Sequence, residues 1–184
     1  DKSVTYSFQE QQLGTGHAVL SAYDFLKNKK GNVLIFACDI PLFKEESINE
    51  LLSVHFKEEN SLTFVTSVLD DALSYGRIIR KDGKVFCIRE AKDCTKEELS
   101  INEINTSLYC FKIEDLLDGI KNIKNCNAQN EFYLTDIIEI FNGKNKKIGT
   151  ICADKNEVVG VDSSKQLSYA NELLRKEINE NHMN

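Results

Sequence analysis

The chain has a single proline, only three histidines, no Cys-x-x-Cys pair among its six cysteines and no basic stripe. Each shortage narrows what it can do. His17, His55 and His182 lie far apart, and Cys38, Cys87, Cys94, Cys110, Cys126 and Cys152 follow no metal-finger spacing, which argues against a structural zinc site. The cysteines read as free thiols, and a reducing cytoplasm is the expected location. A net charge of −6 and a pI near 5.2, with lysines interleaved among glutamates, give no nucleic-acid-binding surface. The one lysine-dense stretch, "NGKNKK" at 142–147, reads as a solvated turn. No apolar run reaches membrane-spanning length, "NVLIFACD" being strand-sized, and nothing resembles a signal peptide, so no membrane partner is expected. There is also no repeat, low-complexity tract or linker, and residues 1–184 read as one domain.

Against these absences stands a regular alternation of elements. Short apolar or alternating runs at 3–9, 33–38, 62–69, 77–80, 84–89, 100–113 and 148–152 predict strands. Helical periodicity predicts helices at 16–28, 46–58, 114–123, 133–142 and 164–180. Interleaving of this kind predicts an α/β fold around a mixed, largely parallel sheet with helices on its faces. Within "RIIRKDGKVFCIRE" the Asp82-Gly83 pair joins two alternating runs as a hairpin.

Two stretches are candidates for chemistry. "QEQQLGTGHAVLSAYDF", 9–25, sets Gly14, Thr15 and Gly16 between a polar strand end and an amphipathic helix, a place where an anion or a flat polar ring could meet bare backbone, or simply a turn. "NVLIFACDIPLF", 32–43, is apolar without alternation and so predicts burial on both faces. Asp39 follows at its carboxyl end, where ligand crevices of open α/β sheets lie. That carboxylate suits Mg²⁺, which prefers hard oxygen donors, and equally suits a helix cap after Pro41.

The motifs "QLGTGHAV", "CDIPL", "YGRIIR", "EAKD", "EINTSLYCF", "NAQNEFYLTDII" and "VVGVDSSKQL" follow one another in an order and spacing that resembles the uridyltransferase domain of bacterial N-acetylglucosamine-1-phosphate uridyltransferases, from about Gln9 to Leu167. The resemblance implies a Rossmann-like nucleotide-diphospho-sugar transferase fold. It implies uracil contacts from Gln9, Gly14 and Thr15, and Mg²⁺ ligation by Asp39 and by Asp162, which stands where the family has asparagine. Gly76, Glu90 and Asn105 correspond to the acetamido-sugar site, with Tyr133 and Thr135 approaching the sugar and its phosphate. Read singly, Gly76 could mark a bulge, Glu90 a hairpin surface, Asn105 a turn and Tyr133 the core. The implied reaction is Mg²⁺-dependent attack of N-acetylglucosamine-1-phosphate on the α-phosphorus of UTP, giving UDP-N-acetylglucosamine for cell-wall (peptidoglycan) precursors and releasing pyrophosphate. The alternative is a sugar-nucleotide-binding module without turnover.

The sequence departs from the family pattern in several places. No glycine-rich phosphate loop of the "GxGTRM…PK" type occurs, and the chain opens at Asp1 without methionine, so about two βα units are expected upstream, and without that loop's cationic clamp the chain by itself is expected to be weak or inactive in catalysis. Their loss would leave uncovered sheet edges and invite self-association. Cys38 and Ser107 replace glycines, "ALSYGR" lacks the usual Pro-Thr-Gly, and no hexapeptide period follows Gln166.

Overall fold

The computed structural model describes residues 4–72 and 74–183. Helices α1 (Thr15–Ser21) and α2 (Tyr23–Leu26) lead to strand β1 (Asn32–Phe36), helix α3 (Glu45–Lys57) and strand β2 (Leu62–Val68). The hairpin β3 (Arg77–Lys81) and β4 (Lys84–Arg89) turns on Asp82 and Gly83, both at positive φ, as the Asp-Gly pair predicts. After a 3₁₀ turn (Ala91–Asp93) come α4 (Lys96–Leu99), β5 (Glu103–Lys112) and α5 (Ile113–Ile120). A second 3₁₀ turn (Leu134–Asp136) then precedes α6 (Ile137–Gly143), β6 (Ile148–Cys152) and α7 (Ser164–Met183).

The sheet is mixed and flanked by helices, as expected, but its parallel share is much smaller than predicted. Strand β5 pairs antiparallel with β1, β2 and β3, and β3 with β4; among the described residues only β2 and β6 run parallel. The interleaving misleads because a parallel neighbour needs a long crossover. The β3–β4 hairpin and the short α4 instead return the chain antiparallel onto β5.

Two apolar clusters sandwich the sheet. Leu62, Phe64 and Phe111 face α5 and α6, while Val65, Leu108 and Cys110 face α3, the alternation a strand's period of two requires. Gly119 is obligatory at the α5–α6 crossing, since a Cβ there would fall 2.8 Å from Phe141 Cε1.

Two strand expectations fail. Residues 4–9 form no strand despite alternating Val4, Tyr6 and Phe8, since no sheet edge pairs with them; Tyr6 and Phe8 are 83% and 84% exposed. Ser3 lies outside the described residues. Nor is β1 buried on both faces. Val33 and Ile35 pack partly against the core, but Phe36 is 63% exposed, because among the described residues β5 alone pairs with β1. Predicted helix 16–28 is interrupted at Ala22. The short α4 was not expected, although the Thr95–Glu98 capping box marks its start in the sequence.

Candidate functional site

A cavity of about 460 Å³ opens where the loops after β1, β4 and β6 meet α1 and the 3₁₀ turn before α6. Thr15, Asp39, Gly76, Glu90, Asn105, Tyr133, Thr135 and Asp162 all line it; Gln9 and Gly14 do not, and stand beside Thr15 at its margin.

Four local devices build the walls. First, the glycine loop is zipped to the segment carrying Tyr133. Phe132 N–H donates to the Leu13 carbonyl at 2.8 Å, Gly16 N–H to that of Phe132 at 2.7 Å, and Leu134 N–H to Thr15 Oγ1 at 3.0 Å. A Cβ on Gly14 would lie 2.6 Å from Phe132 O, and Gly14 has φ +107°. The glycines are therefore needed by the protein's own backbone before any ligand. With Gly16 N–H spent and α1 only seven residues long, the loop is no helix-terminus anion site.

Second, Gly76 lies against Ile88 and Glu90. A Cβ at Gly76 would fall 3.0 Å from Ile88 Cγ2 and 3.4 Å from Glu90 Oε2, and Glu90 Oε1 accepts from Thr135 Oγ1 at 2.9 Å. Burial raises the Glu90 pKa, against the lowering effect of Thr135, and Asp93 and Glu131 push the same way as burial. Burial also pushes Tyr133 up to about 12, against the lowering effect of the neighbouring Gln129, and the Tyr133 hydroxyl completes no well-formed hydrogen bond among the described residues.

Third, Asn105 sits on an irregularity of β5. Phe64 pairs with Tyr109 but Thr66 with Asn105, so β5 carries two extra residues between these pairs. Asn105 Nδ2 donates to Tyr109 Oη at 2.7 Å, and its Oδ1 accepts from Ser107 N–H at 3.3 Å. Ser107 occupies φ +60°, a conformation glycine adopts without strain.

Fourth, the two acidic loops are tied together. Val161 N–H donates to the Asp39 carbonyl at 2.8 Å. The Tyr75 hydroxyl donates to Val158 O and accepts from Gly160 N–H, each at 2.9 Å, and a Cβ on Gly160 would fall 2.8 Å from it. Burial raises the Tyr75 pKa most, and the Asp162 and Asp39 carboxylates raise it further, placing both near one phenol. Asp39 does not cap α3. Glu157 does so, taking Lys44 N–H at 3.2 Å and Ser47 Oγ at 2.6 Å. Two exposed carboxylates on adjoining loops fit Mg²⁺, which takes one or two protein oxygens and completes its shell with water and phosphate. No three potential ligands converge among the described residues, so the pair offers no all-protein cage.

Sequence reading missed Tyr75, Gln129 and Glu131, which also line the cavity. Tyr75 precedes the recognised Gly76, but its partners lie about 85 residues away in sequence.

A mixed sheet with this cavity at its loop ends defines a class, the sugar-nucleotide pyrophosphorylase fold. A Bacillus anthracis chain assigned as a glucose-1-phosphate thymidylyltransferase superposes with TM-score 0.71 at 19% identity, covering 93% of this chain and 65% of that one. An apo UDP-glucose pyrophosphorylase superposes with TM-score 0.63 at 18% identity, covering 80% and 55%. Within that class, residues 2–161 match the nucleotidyl transferase family, and the chain belongs to it. Among curated relatives, the bifunctional protein GlmU of Clostridium botulinum (strain Loch Maree / Type A3) is 50% identical over 184 residues, and that of Clostridium perfringens (strain SM101 / Type A) 46% over 182. The chain spans 40% of the length of each. Among the described residues no helix is long and apolar enough to cross a membrane.

Proposed function

We propose that this chain carries the uridylyl-transfer site of a UDP-N-acetylglucosamine pyrophosphorylase. The observation that supports this best is one cavity in which two carboxylates on tied loops face a glycine–glutamate–asparagine wall. Gln9, Gly14 and Thr15 hold the uracil ring at the cavity's margin. Gly76, Glu90 and Asn105 take the acetamido sugar, with Glu90 accepting from a sugar hydroxyl and the bare Gly76 leaving room for the ring. Tyr133, whose hydroxyl is buried and completes no well-formed hydrogen bond among the described residues, donates to the sugar or its phosphate, and Thr135 holds Glu90 in place. Asp39 and Asp162 would hold Mg²⁺, which when bound offsets phosphate charge.

A phosphate oxygen of N-acetylglucosamine-1-phosphate forms a bond to the α-phosphorus of UTP. The bond from that phosphorus to the bridging oxygen breaks, and pyrophosphate leaves with the electron pair. The protein's contribution is alignment of two polyanions, with no protein nucleophile, so the free cysteines take no part. The product feeds cell-wall precursor synthesis.

The test is pyrophosphate release from UTP and N-acetylglucosamine-1-phosphate with Mg²⁺, with UDP-N-acetylglucosamine binding measured on the same sample. Turnover that disappears in Asp39→Asn supports the reading. Binding without turnover points to a sugar-nucleotide-binding module and overturns the proposal, as does the absence of both turnover and binding.

A further inference from the structure

His17 is absorbed by none of the roles above, yet it touches the residue proposed to read the base. Gln9 Nε2 lies 3.3 Å from the Gly14 carbonyl and 2.9 Å from His17 Nδ1. The Gly14 carbonyl can only accept, so the Gln9 atom facing it is the amide nitrogen, whichever way the side chain might otherwise be turned. The second amide proton then points at His17 Nδ1, which must be bare and accept it, with the imidazole proton on Nε2. Both donors of Gln9 are consumed inside the protein, and its carbonyl Oε1 is the atom left for a ligand. His17 is itself held in place: it sits in mid-α1, its carbonyl takes Ser21 Oγ at 3.0 Å, and its ring lies 6.4 Å from that of Phe132.

We infer that His17 is a positioning residue that locks Gln9 as a pure acceptor, so that the site selects an imide N–H base such as uracil over cytosine, whose corresponding ring nitrogen is itself an acceptor. This rests on the proposed nucleotide site and adds a reason for its choice of base. Without His17 the amide keeps only the longer 3.3 Å bond to the Gly14 carbonyl, its second N–H is left as a free donor for a ligand, and the polarity that rejects cytosine is weakened. A polar site that pairs with the right ligand leaves a buried group unsatisfied with the wrong one, and discriminates accordingly.

The experiment measures binding of UTP and of CTP, each with Mg²⁺, to the full chain and two variants by titration calorimetry. The wild type should favour UTP by about tenfold or more. His17→Leu should lower that preference to within about threefold, chiefly by weakening UTP. His17→Asn, whose Oδ1 can replace Nδ1 as acceptor, should retain it. A His17→Leu chain that still prefers UTP like the wild type overturns the inference and leaves the nucleotide site intact. Equal binding of both nucleotides by the wild type does the same, and binding of neither removes the proposed function along with the inference. Should His17→Leu fail to fold, ¹⁵N NMR of the wild-type imidazole, assigned by its loss in His17→Asn, decides the matter. A bare Nδ1 supports the lock, and a protonated Nδ1 overturns it.

Discussion

Asp136 stands directly after the cavity-lining Thr135 in sequence, and its carboxyl is pushed up to about 6, first by burial and then by Glu139 and Glu90, with Arg89 pulling the other way. Its folded pKa thus stands above the ordinary value of 3.8, so the folded state holds the proton more tightly than the unfolded state. Linkage fixes the sign: the group costs nothing below about pH 4, and its ionisation penalty grows as pH rises through about 6. Asp136→Asn should therefore leave stability unchanged at pH 3.5 and raise it at pH 7 by on the order of 1 kcal/mol, a figure reduced for the half-exposed setting. Chemical denaturation at the two pH values checks this; a gain that is the same at both would assign the effect to packing. The carboxyl's setting is a property of the site, since Glu90 is one of the groups that raise it.

The wall's elements are held together by few bonds, and Tyr75 makes two of them. Tyr75→Phe keeps the ring but removes the donor to Val158 O and the acceptor for Gly160 N–H. The segment bearing Asp162 would then be tied to Asp39 through Val161 N–H, at a local cost of about 1–2 kcal/mol. Hydrogen exchange at the Gly160 amide should speed up about tenfold, with β2 and β5 amides little changed; an unchanged Gly160 amide would show that the phenol is not the tie.

Such ties mark the limit of what the sequence discloses. Strands β2 to β6 could be read because alternation and the Asp82-Gly83 turn are local signals. Antiparallel pairing onto β5 could not, since direction depends on which distant edge is vacant. Thr15, Asp39 and Asp162 were found through motif order. Tyr75 was hidden because its role exists only when two loops distant in sequence come together. Gly14 and Gly16 were noticed for the right reason, close approach, but the approaching group is the Phe132 backbone. Val4, Tyr6 and Phe8 had the alternation of a strand and no edge to pair with.

At the scale of the whole molecule the charge balance is unusual for a chain proposed to bind two phosphorylated substrates. The net charge is −6, and the cavity is lined by Asp39, Glu90, Glu131 and Asp162, with no lysine or arginine among the described lining residues. Each carboxylate about 4 Å from a phosphate oxygen costs roughly 1–4 kcal/mol between fully wet and protein-surface conditions. A triphosphate entering without a cation would therefore lose several kcal/mol. With Mg²⁺ present, UTP should bind; with EDTA, its affinity should fall by about a hundredfold or more, while uridine, which carries no phosphate, should be indifferent. Salt separates this from a simple requirement for ionic strength. In EDTA, raising NaCl screens repulsion between like charges and should strengthen the residual UTP binding. In Mg²⁺ the dominant contacts are attractive, and the same salt should weaken it. Calorimetric titration across the four conditions tests both signs at once. UTP affinity in EDTA equal to that in Mg²⁺ would mean that cationic groups of the chain itself offset the triphosphate's charge.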